Sequence, residues 1–238
     1  MSSARPPRRF RAVLFDLGNT LVNERDFNRI ERLALESGLA VDAEGLAHAY
    51  PEVLEEYDRG GATMDPDAFW AAVAQRCAPA SFDRASLTRF VRAVQADAAP
   101  VEVFSDVGLC LEELASRKMA FGVVTNGRDE ASARRVLEQA RLAGFFPVVV
   151  ASGTEGFSKP DPRIFRRALE RLGARPEETI YVGDLANVDT RGAAAAGLTA
   201  VWLHREGTGW IDDPPEITSL LELPGWIDRA EANPGRSR

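Results

Sequence analysis

Two aspartates stand directly after short apolar runs: Asp16 after Ala12-Val13-Leu14-Phe15, and Asp184 after Ile180-Tyr181-Val182-Gly183. A third, Asp189, follows Asp184 by five residues. Val123-Val124-Thr125-Asn126-Gly127 ends another apolar run in a hydroxyl, an amide and a glycine, and Ser158-Lys159-Pro160-Asp161-Pro162 fixes a lysine with two prolines. Taken singly, each is ordinary: an aspartate after a strand commonly serves a turn or a cap, and a lone lysine is commonly a surface residue. Their order and placement together are specific. If the apolar runs are parallel strands, their polar ends converge on one edge. Three clustered carboxylates repel one another unless a cation neutralises them. An all-oxygen donor set suits Mg²⁺, which keeps some waters and accepts a substrate phosphate oxygen. A lysine and loop amides beside it favour an anion. A hard cation next to an anion cradle points to phosphoryl chemistry.

Lys159 carries one further signal. The 29 Lys and Arg residues include only two lysines, Lys118 and Lys159. A lysine retained in an arginine-rich chain suggests a place for a compact, mobile point charge that a planar guanidinium cannot mimic.

The elements that must position these residues follow from hydrophobic periodicity. Arg11–Asp16, Met119–Thr125, Pro147–Ala151, Thr179–Val182 and Thr199–Leu203 read as strands. Ser105–Arg117 (with Ser105 as N-cap), Asp129–Arg141, Pro162–Leu172 and Val188–Ala196 read as helices. This alternation predicts an α/β fold, a parallel sheet flanked by helices on both faces. Between the first strand and Pro100 the pattern is helical throughout, over Glu24–Ser37, Ala43–Tyr57, Asp67–Cys77 and Asp83–Ala98, with no convincing strand. The expected organisation is a core from residues 10–22 and 101–226, a helical insert over 23–100, and flexible termini at 1–9 and 227–238. The insert sits near the carboxyl end of the first strand, where open α/β sheets bind ligands, and there it makes a natural lid.

Composition narrows the function. The chain has 238 residues, 45% hydrophobic and 27% charged, with a net charge of −7. Nothing basic dominates, which argues against nucleic acid as a partner. No apolar stretch approaches the roughly 18 residues of a membrane span, and the Arg/Pro-rich start, Met1–Arg11, lacks the apolar region of a leader. Cys77 and Cys110 form no disulfide framework and fit a cytoplasmic protein. His48 and His204 make no metal site; Trp202, Trp210 and Trp226 read as packing residues; the arginines of Arg163–Arg171 read as a solvated helix face.

Over Phe10 to about Trp226 the sequence resembles the haloacid dehalogenase-like hydrolase superfamily. Asp16 and Thr20 match its first motif, Thr125 the second, Lys159 the third, and Asp184 with Asp189 the fourth. The insert resembles the α-helical cap of the phosphoglycolate-phosphatase-like branch. The resemblance implies a Rossmann-like core and an Mg²⁺-dependent phosphatase acting on a small phosphorylated metabolite. Asp16 is then the nucleophile that forms an aspartyl-phosphate. Asp16, Asp184 and the Gly18 carbonyl hold Mg²⁺, and Asp189 supports the metal or orients Lys159. Thr125 and the Asn126 amide hold the phosphoryl group, and Lys159 neutralises Asp16 and the phosphate. A monomer or a homodimer is compatible with the sequence.

Gly18 departs from the family pattern, which has a second aspartate there as general acid/base, a role worth about 10²–10⁴-fold. Three outcomes follow. Another residue (Glu24, Asp26 or one from the cap) replaces it, the substrate has a good leaving group, or the protein is a phosphate-ligand sensor or partner-binding protein with little turnover. The first is favoured here. Another hydrolase of the same family is the remaining alternative. Phosphomutase chemistry of this family leans on the missing acid, and its dehalogenases carry an aromatic residue where Gly18 stands. Its phosphonate hydrolases use a cap lysine, and Asn23–Pro100 contains none.

Overall fold

The computed structural model describes residues 9–23, 26–60, 65–77, 83–96, 101–205 and 215–233. Its elements in chain order are β1 (Ala12–Phe15), β2 (Val22–Asn23), α1 (Phe27–Glu36), α2 (Ala43–Gly60), α3 (Pro66–Cys77), α4 (Arg84–Ala96), β3 (Glu102–Val103), α5 (Val107–Ser116), β4 (Ala120–Thr125), α6 (Glu130–Gln139), β5 (Val148–Ala151), α7 (Ser152–Glu155), α8 (Pro162–Leu172), β6 (Thr179–Gly183), α9 (Gly192–Ala195), β7 (Thr199–Leu203), β8 (Glu216–Ile217) and α10 (Leu223–Ala232).

Six strands form one sheet in the order β5-β4-β1-β6-β7-β8, and every neighbouring pair is parallel. The central strands are buried on both faces, which is why they read as unbroken apolar runs. Side-chain alternation splits the core into two layers. Val13, Phe15 and Val123 face a layer with Leu111 and Leu114 of α5 and Ile227 of α10. Leu14, Val124 and Tyr181 face the other, with Ile164 and Phe165 of α8. β1 has β4 on one side and β6 on the other, so the strand order reverses beside it. The crevice at the carboxyl ends of strands at such a switch point is where doubly wound sheets hold ligands.

Helices α1 to α4 enclose an apolar cluster of their own, with Leu46, Tyr50, Val53, Phe69, Val73 and Phe90 at its centre. Leu185, from the loop after β6, packs against it. Both linkers to this insert pass through a two-stranded antiparallel pair, β2 with β3.

Several local expectations are corrected. Residues 227–232 of the terminus expected to be flexible are helical: α10 runs to Ala232, buries Ile227 and Ala230, and ties Arg117 to Asp228 at 2.9 Å. The N-cap position of α5 is Asp106, not Ser105, and the Asp106 side chain makes no capping bond because other partners engage it (below). The helix expected over Val188–Ala196 is a π-helical segment, Ala186–Arg191, followed by α9. The first helix of the insert starts at Phe27 because Asp26 caps it, its carboxylate accepting from the Arg29 N–H at 3.1 Å. Trp210 and Glu24 lie outside the described residues.

Candidate active site

The parallel topology brings the predicted groups together. Asp16, Asp184 and Asp189 each present a carboxylate oxygen, and these oxygens lie within 4.8 Å of one another. Thr125, at the end of the neighbouring strand β4, is buried at the same edge. Lys159 reaches in from the loop before α8. Its Nζ donates to Asp16 Oδ1 at 2.5 Å, to Asp189 Oδ1 at 2.7 Å and to the Tyr181 hydroxyl at 3.3 Å.

Each of these side chains is fixed by its own local structure. Asp16 directly follows β1, and its N–H donates to the Val182 carbonyl of β6 at 2.9 Å. The Lys159–Pro160 peptide is cis. The Asn126 side chain clamps the Lys159 backbone from both ends: its Oδ1 accepts from the Lys159 N–H at 2.8 Å, and its Nδ2 donates to the Lys159 carbonyl at 3.0 Å. This second-motif asparagine therefore presents the lysine. Asp189 is fully committed: Oδ1 also accepts from the Tyr181 hydroxyl at 2.7 Å, and Oδ2 accepts from the Leu185 N–H at 3.0 Å. Gly183 is required here, since a methyl group would overlap the Asp189 carboxylate.

The electrostatics follow from burial. Burial pushes the Asp16 carboxyl up to about 6, Asp189 adds to that rise, and Lys159 opposes it. Burial alone would lower the Lys159 ammonium, but Asp16 and Asp189 outweigh it and the net direction is upward. Tyr181, buried beside these carboxylates, is held well above its ordinary value and stays a neutral donor. One lysine does not offset the negative charge of the cluster. The all-oxygen donor set and this residual charge fit a hard divalent cation.

Three parts of the arrangement were not legible as functional in the sequence. Tyr181 sits inside an apolar run; its signal was a phenol in a strand otherwise made of buried apolar residues. Asn19 adopts a left-handed backbone (φ 52) in the loop after Asp16, and its Nδ2 donates to the Tyr50 hydroxyl of α2 at 3.1 Å. This is a hydrogen bond between the insert and the loop. Arg205, after β7, donates to two backbone carbonyls of the same loop. The Thr20 hydroxyl is buried without a hydrogen-bond partner. Of the candidates to replace the acid absent at Gly18, Asp26 is exposed and occupied as a helix cap.

Residues 10–197 match the family described as haloacid dehalogenase-like hydrolase. The chain is 34% identical over 224 residues to a phosphoserine phosphatase of Thermus thermophilus, covering 90% of this chain and 88% of the relative. It is 33% identical over 215 residues to a glyceraldehyde 3-phosphate phosphatase of Methanopyrus kandleri, covering 82% and 84%. Among solved structures, the HAD-hydrolase YfnB of Bacillus subtilis, bound to magnesium, shares the fold with a TM-score of 0.72 at 21% identity, over 93% of this chain and 100% of that one. A 2-haloacid dehalogenase of Pseudomonas syringae has a TM-score of 0.60 at 26% identity, over 92% and 99%.

Proposed function

Because the chain belongs to the haloacid dehalogenase-like hydrolase family, we propose that it is an Mg²⁺-dependent phosphatase of small phosphorylated metabolites, working through an aspartyl-phosphate on Asp16. The observation that carries this reading is the buried Asp16–Lys159–Asp189 chain beside Asp184 at the carboxyl edge of the sheet. Asp16, Asp184 and the Gly18 carbonyl would hold the ion. When bound, it neutralises the carboxylates and the negative charge that gathers on the phosphoryl oxygens.

The protein's own groups supply the rest. Asp16 stands at a rigid strand end and attacks phosphorus in line, breaking the bond to the substrate oxygen, which leaves with a proton taken from a water or from the group that replaces the acid absent at Gly18; water then attacks the aspartyl-phosphate, releasing phosphate and restoring the carboxylate. Lys159 stays charged and offsets the Asp16 carboxylate and the phosphoryl group. Thr125 and the Asn126 amide hold the phosphoryl group, while the Asn126 side chain aims Lys159. Asp189 is a positioning residue: its oxygens are taken by Lys159, Tyr181 and the Leu185 amide. The insert covers the site, excludes bulk water and reads the remainder of the substrate. The relatives act on phosphoserine and glyceraldehyde 3-phosphate, and these define the first substrates to try. Dehalogenation is disfavoured by Gly18, which stands where this family's dehalogenases have an aromatic residue.

The test is phosphate release from p-nitrophenyl phosphate, acetyl phosphate, phosphoserine and glyceraldehyde 3-phosphate, with Mg²⁺ and with EDTA. Asp16→Asn should lower Mg²⁺-dependent turnover by more than about 10³-fold. Turnover confined to acetyl and p-nitrophenyl phosphate would mean that no residue replaces the acid lost at Gly18. No turnover on any of these phosphates, with Mg²⁺ and phosphate still bound, would support the second reading that Gly18 favours, a phosphate-ligand sensor or partner-binding protein.

A further inference from the structure

Arg205 lies outside the five segments that carry the site chemistry, yet its guanidinium holds the loop after the nucleophile. Its Nε donates to the Asn19 carbonyl at 3.2 Å and its Nη2 to the Thr20 carbonyl at 2.7 Å. The same group grips Asp106 end-on, Nη1 to Oδ2 at 2.8 Å and Nη2 to Oδ1 at 3.1 Å. Its flat face lies 3.8 Å from the centre of the Phe104 ring. Asp106 is braced in turn by the Ser219 hydroxyl at 2.8 Å and the Leu220 N–H at 2.9 Å.

The positions of these partners along the chain matter. Asn19 and Thr20 come just before β2, and Phe104 and Asp106 come just after β3. β2 and β3 are the two linkers to the helical insert, and the Phe104 N–H also donates to the Leu21 carbonyl at 3.3 Å. Arg205 therefore binds the chain immediately outside both linkers. The loop it holds needs an external hold. Asn19 has a left-handed backbone, and the two carbonyls that Arg205 satisfies would otherwise lose a charged donor. On the other side, the Asn19 side chain is bonded to Tyr50 of the insert. One residue, next to Gly18, is thus tied to the core by its carbonyl and to the insert by its amide.

We propose that Arg205 is a positioning residue for the reaction. It fixes the loop Leu17–Leu21, and with it the Gly18 carbonyl and Asp16 beside it, at the point where both linkers to the insert meet the core. The kinetic part of this inference rests on the phosphatase reading above. A lysine cannot replace Arg205, because a single ammonium cannot serve two carbonyls and both oxygens of a carboxylate in one plane.

The experiment compares wild type, Arg205→Lys and Asp106→Asn by amide hydrogen exchange and by Mg²⁺-dependent turnover of p-nitrophenyl phosphate. In Arg205→Lys the amides of Asn19, Leu21 and Val22, which bond within the loop, should exchange about tenfold faster or more. Those of Ala12–Phe15 should be unchanged. The kcat should fall about 10–100-fold and KM for the ester stay within about threefold, as expected for a misplaced nucleophile. The Mg²⁺ concentration for half-maximal rate should rise. Asp106→Asn should move every readout in the same direction by less, because Asp106 acts through Arg205. Loop exchange and kcat within about twofold of wild type in Arg205→Lys would overturn the proposal. So would equal acceleration in the loop and in β1, the signature of a general stability effect. If wild type itself turns over no ester, the phosphatase reading fails. The exchange rates of the loop against β1 then decide the positioning role by the same two criteria.

Discussion

Lys159 and Arg205 both stand against aspartates at the carboxyl edge of the sheet, and their surroundings differ in kind. The partners of Lys159 are side chains: two carboxylates and a phenol, all within 3.3 Å of one nitrogen. The partners of Arg205 are two backbone carbonyls and one carboxylate taken end-on by both terminal nitrogens. A small ammonium can follow a carboxylate whose charge changes during a reaction. A planar fork is matched to groups that do not move. The burial effects point the same way. Asp106 is held below its ordinary value, Arg205, Ser219 and the Leu220 amide together outweighing its burial, so it stays ionised. Asp16 is pushed up to about 6 by burial in spite of Lys159. In one network the partners outweigh burial, and in the other burial outweighs the partner.

The sharpest test of this contrast is Lys159→Arg. If the site needs a point charge among three oxygens, the guanidinium will not fit, and turnover should fall at least about 10²-fold while the protein still folds. Full activity in that variant, measured at saturating Mg²⁺, would erase the distinction between the two cations. Gly183→Ala attacks the same network through its backbone. The added methyl collides with Asp189 and should cost about 1–3 kcal/mol in urea unfolding, together with activity, as Lys159 loses its second carboxylate. A variant as stable as wild type would show that Asp189 can move freely. Tyr181→Phe removes one donor to Asp189. It should cost about 1 kcal/mol of stability and lower kcat several-fold at unchanged KM. An equal loss in KM would assign Tyr181 to substrate binding instead. The smallest expected effect tests the Arg205 side by pH. Because the folded Asp106 has a lowered pKa, its stabilisation is complete above its unfolded value, about 3.9. It is lost as the pH falls through the lowered folded value. The stability gap between wild type and Asp106→Asn should therefore shrink on acidification below about pH 4. A gap constant down to pH 2 would mean that the carboxylate charge contributes nothing.

The two networks were unequally visible in the sequence. Asp16, Thr125 and Asp184 stand out because each ends an apolar run, and a parallel sheet places such ends together. Lys159 stands out as one of two lysines. Arg205 and Asp106 carry no such mark: they are joined across 99 residues, and only the fold makes them neighbours. Polar composition hides the helix over residues 227–232, although Leu223, Ile227 and Ala230 recur at helical spacing and are buried. The π-helical turn at Ala186–Arg191 leaves no trace in apolar periodicity, because one extra residue per turn displaces side chains without changing their types. That turn carries Asp189, whose Oδ2 meets the Leu185 amide.

The pairing of β2 with β3 also bears on the history of such a molecule. Adjacent strands lie about 4.8 Å apart, so the chain leaves the core and re-enters it almost at the same point. To the sheet, everything between Asn23 and Glu102 is equivalent to the loop of a hairpin. Inserts of other sizes and shapes can be exchanged at that junction without changing the order of a single core strand. Whatever the insert contributes can thus change separately from the strand-end residues, as one cassette carried between two neighbouring ends.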